Sequence, residues 1–341
     1  MLVSLGSVIT ALLAWLASYS AATAVAAVPV VDHVVLVSVD GLNPDAIRQL
    51  GPTGAPTFHR LMDQGASTLD ARTVHEATKT LPNHTSMVTG RPVTEAGGHG
   101  VTFNGDNGST VHASANTYVA SAFDVVHDNG GSTALYSGKD KLGFLDRSWN
   151  GTTGAADGTG ADDGRDKIDV YQQAEAGELT AALVSSLAAA PPDFAMLHLR
   201  GPDSVGHAQG YMSQAYLDEV AATDQLIGQI LDTVDSSSSL AASTVVVVTS
   251  DHGGLGHGHG DETQPVNYTI PFFVWGTGVE AGADLYALNP DRADPGTSRP
   301  TYAAETQPIR NAEVGNLVTE LLGLPAIPGS VINPDQTLDV A

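Results

Sequence analysis

Four stretches of this chain carry carboxylate, imidazole and hydroxyl groups at spacings that suit metal-assisted chemistry. Three of them each follow an apolar run. His33–Val39 leads into Asp40-Gly41, and Phe194–Leu199 leads into Gly201-Pro202-Asp203-Ser204-Val205-Gly206-His207. Thr244–Thr249 leads through Ser250 into Asp251-His252-Gly253-Gly254. A single Asp after a strand is ordinarily a turn or capping residue. Three such ends, two of them with His close by, point instead to a bound cation, because clustered carboxylates repel one another until a positive charge compensates them. Imidazole mixed with carboxylate suits zinc, with manganese and iron as lesser options. The fourth stretch is Thr78-Lys79-Thr80-Leu81-Pro82-Asn83-His84. It places a hydroxyl at an expected helix start, where the helix dipole and a metal would both favour the deprotonated oxygen.

The elements that must position these groups follow from the hydrophobic pattern. Short apolar runs bounded by turn residues read as strands buried on both faces. Helical patterns fall between them, at about 43–50, 56–64, 83–89, 118–127, 174–189, 215–234 and 311–322. Further strands are expected at 132–136 and 270–275. Strands alternating with helices predict an α/β fold with a mostly parallel central sheet flanked by helices. In open sheets of this kind, ligands bind outside the carboxyl ends of the strands. Segments 97–116 and 149–166 are rich in Gly, Asn, Ser, Thr and Asp and read as polar loops, the second as an insertion. Its acidic residues do not keep the spacing of a helix–loop–helix calcium site.

The 341 residues include 14 basic and 38 acidic side chains, a formal charge of −24. That balance argues against duplex nucleic acid as a partner. With no Cys, thiolate nucleophiles and Cys-ligated zinc are excluded. Residues 1–26 form an apolar, small-residue leader with Ala24-Val25-Ala26 as a cleavage pattern, so a signal peptide and a secreted or extracytoplasmic location are expected. Residues 27–341 read as one catalytic domain, with no internal repeat.

In chain order, VSVDG ending at Gly41, TKTLPNHTSMVTG from Thr78 to Gly90, HGVTFN from His99 to Asn104, PDSVGH from Pro202 to His207, SDHGG from Ser250 to Gly254, and His259-Gly260 together resemble the alkaline phosphatase superfamily. The branch they look most like is the nucleotide pyrophosphatase/phosphodiesterase family. The resemblance implies two zinc ions, one on Asp40, Thr80, Asp251 and His252, the other on Asp203, His207 and His259. It implies Thr80 as the nucleophile that forms a phosphothreonine, and Asn104 as a donor to a phosphate oxygen. Two inversions at phosphorus would give net retention. His257 and His259 both precede a glycine, and His259 fits better because it leads into the polar stretch before NYTIPFFVWG. His84 and His99 resemble structural residues of the motif, and Lys79 reads either as a phosphate contact or as a solvated or structural lysine.

The implied substrate is a small phosphate ester, nucleotides among the candidates. Leu81 stands where nucleotide-cleaving members often carry an aromatic, leaving Phe144, Trp149 and Tyr211 as substitutes for stacking on a base. A phosphomonoesterase on the same metals is the alternative. It calls for a further cation, and Arg91 and Arg200 are the arginines within or beside the motifs. TLPNH does not match the C/S-x-P-x-R pattern of sulfatases. A non-catalytic, metal-stabilised binding protein is the reading from another class.

Overall fold

The computed structural model describes residues 30–157 and 164–341, so the leader and the middle of the 149–166 loop lie outside the described residues. Eight strands form one sheet: β1 His33–Val39, β2 Ala66–Arg72, β3 Thr133–Ser137, β4 Val170–Gln173, β5 Phe194–Leu199, β6 Thr244–Thr249, β7 Thr269–Gly276 and β8 Ala283–Asp284. Their spatial order is β4-β3-β5-β1-β6-β7-β2-β8. The first five in that order run parallel, and β7 is antiparallel to both β6 and β2. The central sheet is therefore mostly parallel, as its apolar runs predict.

Side chains alternate across the sheet. Val34, Leu36, Met196, Val245 and Val247 face one core with the helices Thr80–Thr89, Ala122–Asp128 and Val314–Leu321. Val35, Val37, Leu197, Val246 and Val248 face the other, with Pro44–Gly54, Pro56–Gln64, Ala176–Ala189 and Gln214–Ser236. Because β5, β1 and β6 are adjacent and parallel, their carboxyl ends share one edge of the sheet. Asp203, Asp40 and Asp251 therefore meet there although they are far apart in sequence.

Three elements differ from the sequence expectation. The helix expected from 83 starts at Thr80, with Pro82 inside its first turn, where a missing N–H costs nothing. The helix expected from 118 starts at Ala122, because Ser121 and Asp124 close a capping box there. The segment carrying Asp203 and His207 adds an element to those expected, the helix Gly201–Gln209, opened by Pro202. The 97–116 segment is mostly loop, with one short helix at Val111–Ala115.

Candidate active site

Asp40 ends β1 and is fully buried. The chain then turns at Gly41 with φ +70°, and a Cβ there would lie 2.9 Å from the Asp203 Cβ, so this close approach needs glycine. Asp203 and His207 stand four residues apart on one helix and so share a face. Asp251 and His252 follow β6 directly.

Two clusters result. Asp40, Asp251 and His252 form one, all buried. His252 Nε2 is 3.2 Å from Asp251 Oδ2 and 3.5 Å from Asp40 Oδ1. Asp203, His207 and His259 form the other, with Asp203 Oδ1 3.4 Å from His207 Nε2 and 3.7 Å from His259 Nε2. The clusters adjoin, since the rings of His252 and His259 stack at 3.6 Å. Among the described residues His127, Asp128 and Asp157 also converge, but there the Lys167 ammonium lies 2.8 Å from Asp128 and bonds Asp157, so that group carries its own cation.

The three rings are set for ligation in the same manner, and Asp40 and Asp251 each keep one oxygen unpartnered. His207, His252 and His259 all donate Nδ1–H to a backbone carbonyl, of His257, Gly253 and Thr78 respectively. That fixes the tautomer and leaves the Nε2 lone pair facing the carboxylates, as ligating imidazoles require. Asp251 accepts from Gly41 N–H and His252 N–H on Oδ1, leaving Oδ2. Asp40 is bonded through Oδ2 and leaves Oδ1. Asp40 Oδ1, Thr80 Oγ1, Asp251 Oδ2 and His252 Nε2 are all buried without a hydrogen-bond partner. Buried polar atoms are rarely left so. These four belong to the residues that the family resemblance assigns to one zinc, so the donor set fits a divalent ion.

Thr80 begins its helix, and its carbonyl accepts from His84 Nδ1 at 2.7 Å. The same nitrogen lies 3.7 Å from Asp251 Oδ2, which ties the hydroxyl-bearing residue to the first cluster. Thr78 Oγ1 donates to the His259 carbonyl at 2.5 Å and ties the loop to the second. Asn104 is half-buried and its Oδ1 accepts from Leu81 N–H at 3.0 Å, so its amide sits at the mouth of the same helix. His259 lies in the cluster, whereas His257 is exposed and donates to the His207 carbonyl. His99 bonds Ser86 Oγ, away from the carboxylates.

Of the aromatic candidates, Phe144 and Trp149 do not face the site, and Tyr211 reaches it through its hydroxyl. Leu81, Phe144 and Trp149 are fully buried in the core. Tyr211 is buried and donates its hydroxyl to Asp203 Oδ1. Leu81 points inward because the helix starts one residue before it. Arg91 donates to the carbonyls of Gly97 and Pro328, and Arg200 pairs with Glu175 on the surface. Neither arginine reaches the clusters.

Two site residues carry no motif in the sequence. His198, on β5, lies 2.9 Å from Asp40 Oδ2 through Nε2. Lys139, just after β3, places Nζ 2.7 Å from Asp40 Oδ2 and 2.5 Å from Asp203 Oδ2. Burial would lower the Lys139 pKa, but Asp40, Asp203 and Asp251 outweigh it and the net shift is upward. Burial likewise acts to raise Asp40, yet Lys139, His198 and His252 hold it well below the usual carboxylate range. For Asp251, burial and the Asp40 charge outweigh the more distant Lys139 and the Gly41 N–H, and push it up.

Burial pushes His252 down to about 3, with His259 adding to the depression, and burial also pushes His99 down to about 3. His84, His198 and His259 shift the same way, again chiefly by burial. Such histidines bind protons more readily when unfolded. Their contribution is present above the unfolded value of about 6.5 and is lost as pH falls towards the folded values. Asp251 and Glu320, the latter raised to about 7, act in the opposite sense. Burial also raises Asp124, Asp128, Asp146, Glu219 and Asp224, but from ordinary values below 5, whereas the imidazoles start from about 6.5, inside the window between pH 7 and 5. The unfolding free energy from urea melts in chelator, and with it the midpoint, is therefore expected to fall between pH 7 and 5, the former by up to ~1.4 kcal/mol per pH unit for each histidine. A flat or rising midpoint would contradict this balance.

Comparison with known proteins agrees with the geometry. Residues 34–306 match the family model described as type I phosphodiesterase / nucleotide pyrophosphatase. GPI ethanolamine phosphate transferase 1 of Emericella nidulans is 31% identical over 130 residues, 38% of this chain, and the mouse protein of that name is 26% identical over 129. This chain spans only 14% of the length of either. An inactivated murine ectonucleotide pyrophosphatase/phosphodiesterase 5, solved in complex with AMP, superposes with a TM-score of 0.62 at 15% identity, covering 87% of this chain and 96% of its own. A Vibrio parahaemolyticus protein of the alkaline phosphatase superfamily gives 0.58 at 16% identity, covering 92% and 71%. These two likenesses show a shared fold. With four-fifths of its length matched by the family model, and the acidic residues that follow its three central strands all inside the matched part, this chain belongs to the type I phosphodiesterase / nucleotide pyrophosphatase family.

Proposed function

We propose that the chain cleaves phosphodiesters by covalent transfer through Thr80, at a site that binds two divalent ions, zinc best matching the donors. The observation that carries this reading is the convergence of ligand-ready atoms. Three imidazoles are fixed with Nε2 free, and three carboxylates each turn one oxygen towards them. Asp40, Thr80, Asp251 and His252 would hold one ion, and Asp203, His207 and His259 the other. Ions bound there would supply charge to the phosphoryl oxygens and favour the ionised Thr80 hydroxyl.

The chain's own groups then divide the work. Thr80 Oγ1 forms the bond to phosphorus as the bond from phosphorus to the leaving oxygen breaks. Thr80 opens a helix, so backbone N–H groups of its first turn add positive potential. Asn104, at the same helix mouth, presents its amide N–H to a phosphoryl oxygen. Water then attacks phosphorus from the opposite side and releases Thr80. Positioning and electrostatics carry most of the rate in such transfers.

A diester is favoured over a monoester because, among the described residues, no arginine stands in the site to meet a further anionic oxygen, and Lys139 is already bound by two carboxylates. Nucleotide-like substrates are supported by the AMP complex of the murine protein. The same phosphothreonine can also pass its group to an alcohol. The relatives named as ethanolamine phosphate transferases support that second reading.

The test is a paired rate measurement on zinc-loaded protein, using a nitrophenyl monoester and a nitrophenyl ester of a nucleoside monophosphate, with and without added ethanolamine. Faster diester cleavage is expected, and an ethanolamine ester among the products would establish transfer. Faster monoester cleavage would overturn the diester assignment while leaving the metal site intact.

A further inference from the structure

Lys139 follows β3, two strands away from Asp40 on β1, yet its ammonium reaches both metal clusters. Its backbone is clamped by Ser137, whose hydroxyl donates to the Lys139 carbonyl at 2.6 Å and accepts from the Lys139 N–H at 3.3 Å. Next to it, Gly138 N–H bonds the carbonyl of His198 at 3.2 Å, joining the end of β3 to β5. The Lys139 side chain is only 14% exposed. Nζ contacts Asp40 through Oδ2 and Asp203 through Oδ2. The other oxygen of each, Oδ1, faces its own imidazole set, with His198 Nε2 also on Asp40 Oδ2 and the Tyr211 hydroxyl on Asp203 Oδ1. Asp251 has no such contact and is instead oriented by the two backbone N–H groups on its Oδ1.

We infer that Lys139 is a positioning residue shared by the two metal clusters, fixing Asp40 and Asp203 together through one ammonium so that both ligand oxygens face their ions at once. The inference rests on the two-metal reading above. Groups that hydrogen-bond ligating carboxylates typically contribute about 10–100-fold in metal affinity. An ordinary partner of this kind serves one ion. Lys139 touches one carboxylate of each cluster, so a single substitution acts on both.

The experiment is zinc binding followed by competition with a chromophoric chelator, on the full chain, for wild type, K139M and K139R. Wild type is expected to bind two zinc ions. K139M is expected to weaken both sites by about 10–100-fold, and K139R, which keeps the charge, to restore most of both. K139Q, which retains a donor without the charge, is measured alongside. It is expected to weaken both sites as K139M does, so the result does not depend on Met being tolerated in the fold. Unchanged affinities, tighter binding, or weakening confined to one site would overturn the inference. Wild type binding fewer than two ions would overturn the two-metal reading itself, before any variant is considered.

Discussion

Replacing Thr80 by Ala is expected to abolish phosphodiester turnover while leaving the protein folded. Thr80 Oγ1 is buried and has no hydrogen-bond partner within the protein. Its loss therefore breaks no internal hydrogen bond, and the stability of the metal-free protein is expected to change by no more than ~1 kcal/mol, the net worth of one hydrogen bond. Activity behaves differently, because the bond to phosphorus forms at this atom. Loss of a covalent nucleophile lowers kcat by roughly 10^4-fold or more. A rate assay beside a thermal melt separates the two effects. T80A retaining a tenth of wild-type activity would remove Thr80 from the chemistry. T80A losing both activity and fold would make the residue structural instead.

The second large effect is expected on removing metal. The buried carboxylates Asp40 and Asp251 face one another near neutral imidazoles, and Lys139 supplies the nearby ammonium. Ions bound to the folded chain but not to the unfolded one stabilise it by mass action, ~4 kcal/mol per site at about a thousandfold excess over Kd. Chelation is thus expected to lower the melting temperature by several degrees and to reduce turnover at least ~1,000-fold, the equivalent of ~4 kcal/mol of transition-state stabilisation. Readdition of zinc should restore both. Turnover that survives complete metal removal would exclude the proposed mechanism, and an unchanged midpoint would show that the clusters hold no ion in the folded protein.

Much of this site is legible in the sequence for a topological reason. Strands buried on both faces read as unbroken apolar runs, and parallel neighbours must end at one edge. HVVLVSV, FAMLHL and TVVVVT therefore declare both their conformation and a shared destination for the residues that follow. Asp40, Asp203, Asp251 and His252 inherit their proximity from that rule. His259 is harder to separate from His257, because the alternation of GHGHGD presents both to one side. The choice depends on His259 reaching the Thr78 carbonyl, a long-range contact.

Other parts are hidden because no local pattern encodes them. Lys139 and His198 acquire their roles only when β3, β5 and β1 lie side by side, an order the chain does not spell out. The helix Gly201–Gln209 was available from Pro202 and the four-residue spacing of Asp203 and His207, but its glycines mask a helical propensity. By the family resemblance, Leu81 stands at a position that contacts substrate in nucleotide-cleaving members. Starting the helix at Thr80 turns Leu81 into the core. The displacement of one helix start by a single turn therefore changes the inferred substrate contact, while leaving the nucleophile in place.

The most direct test of covalent transfer through Thr80 is the stereochemical course at phosphorus. A diester made chiral with sulfur and oxygen isotopes would be cleaved by the zinc-loaded protein, with the configuration of the product read by phosphorus NMR. Two in-line displacements, one by Thr80 and one by water or an alcohol, predict net retention. Net inversion would mean a single direct attack on the substrate and would contradict a phosphothreonine intermediate.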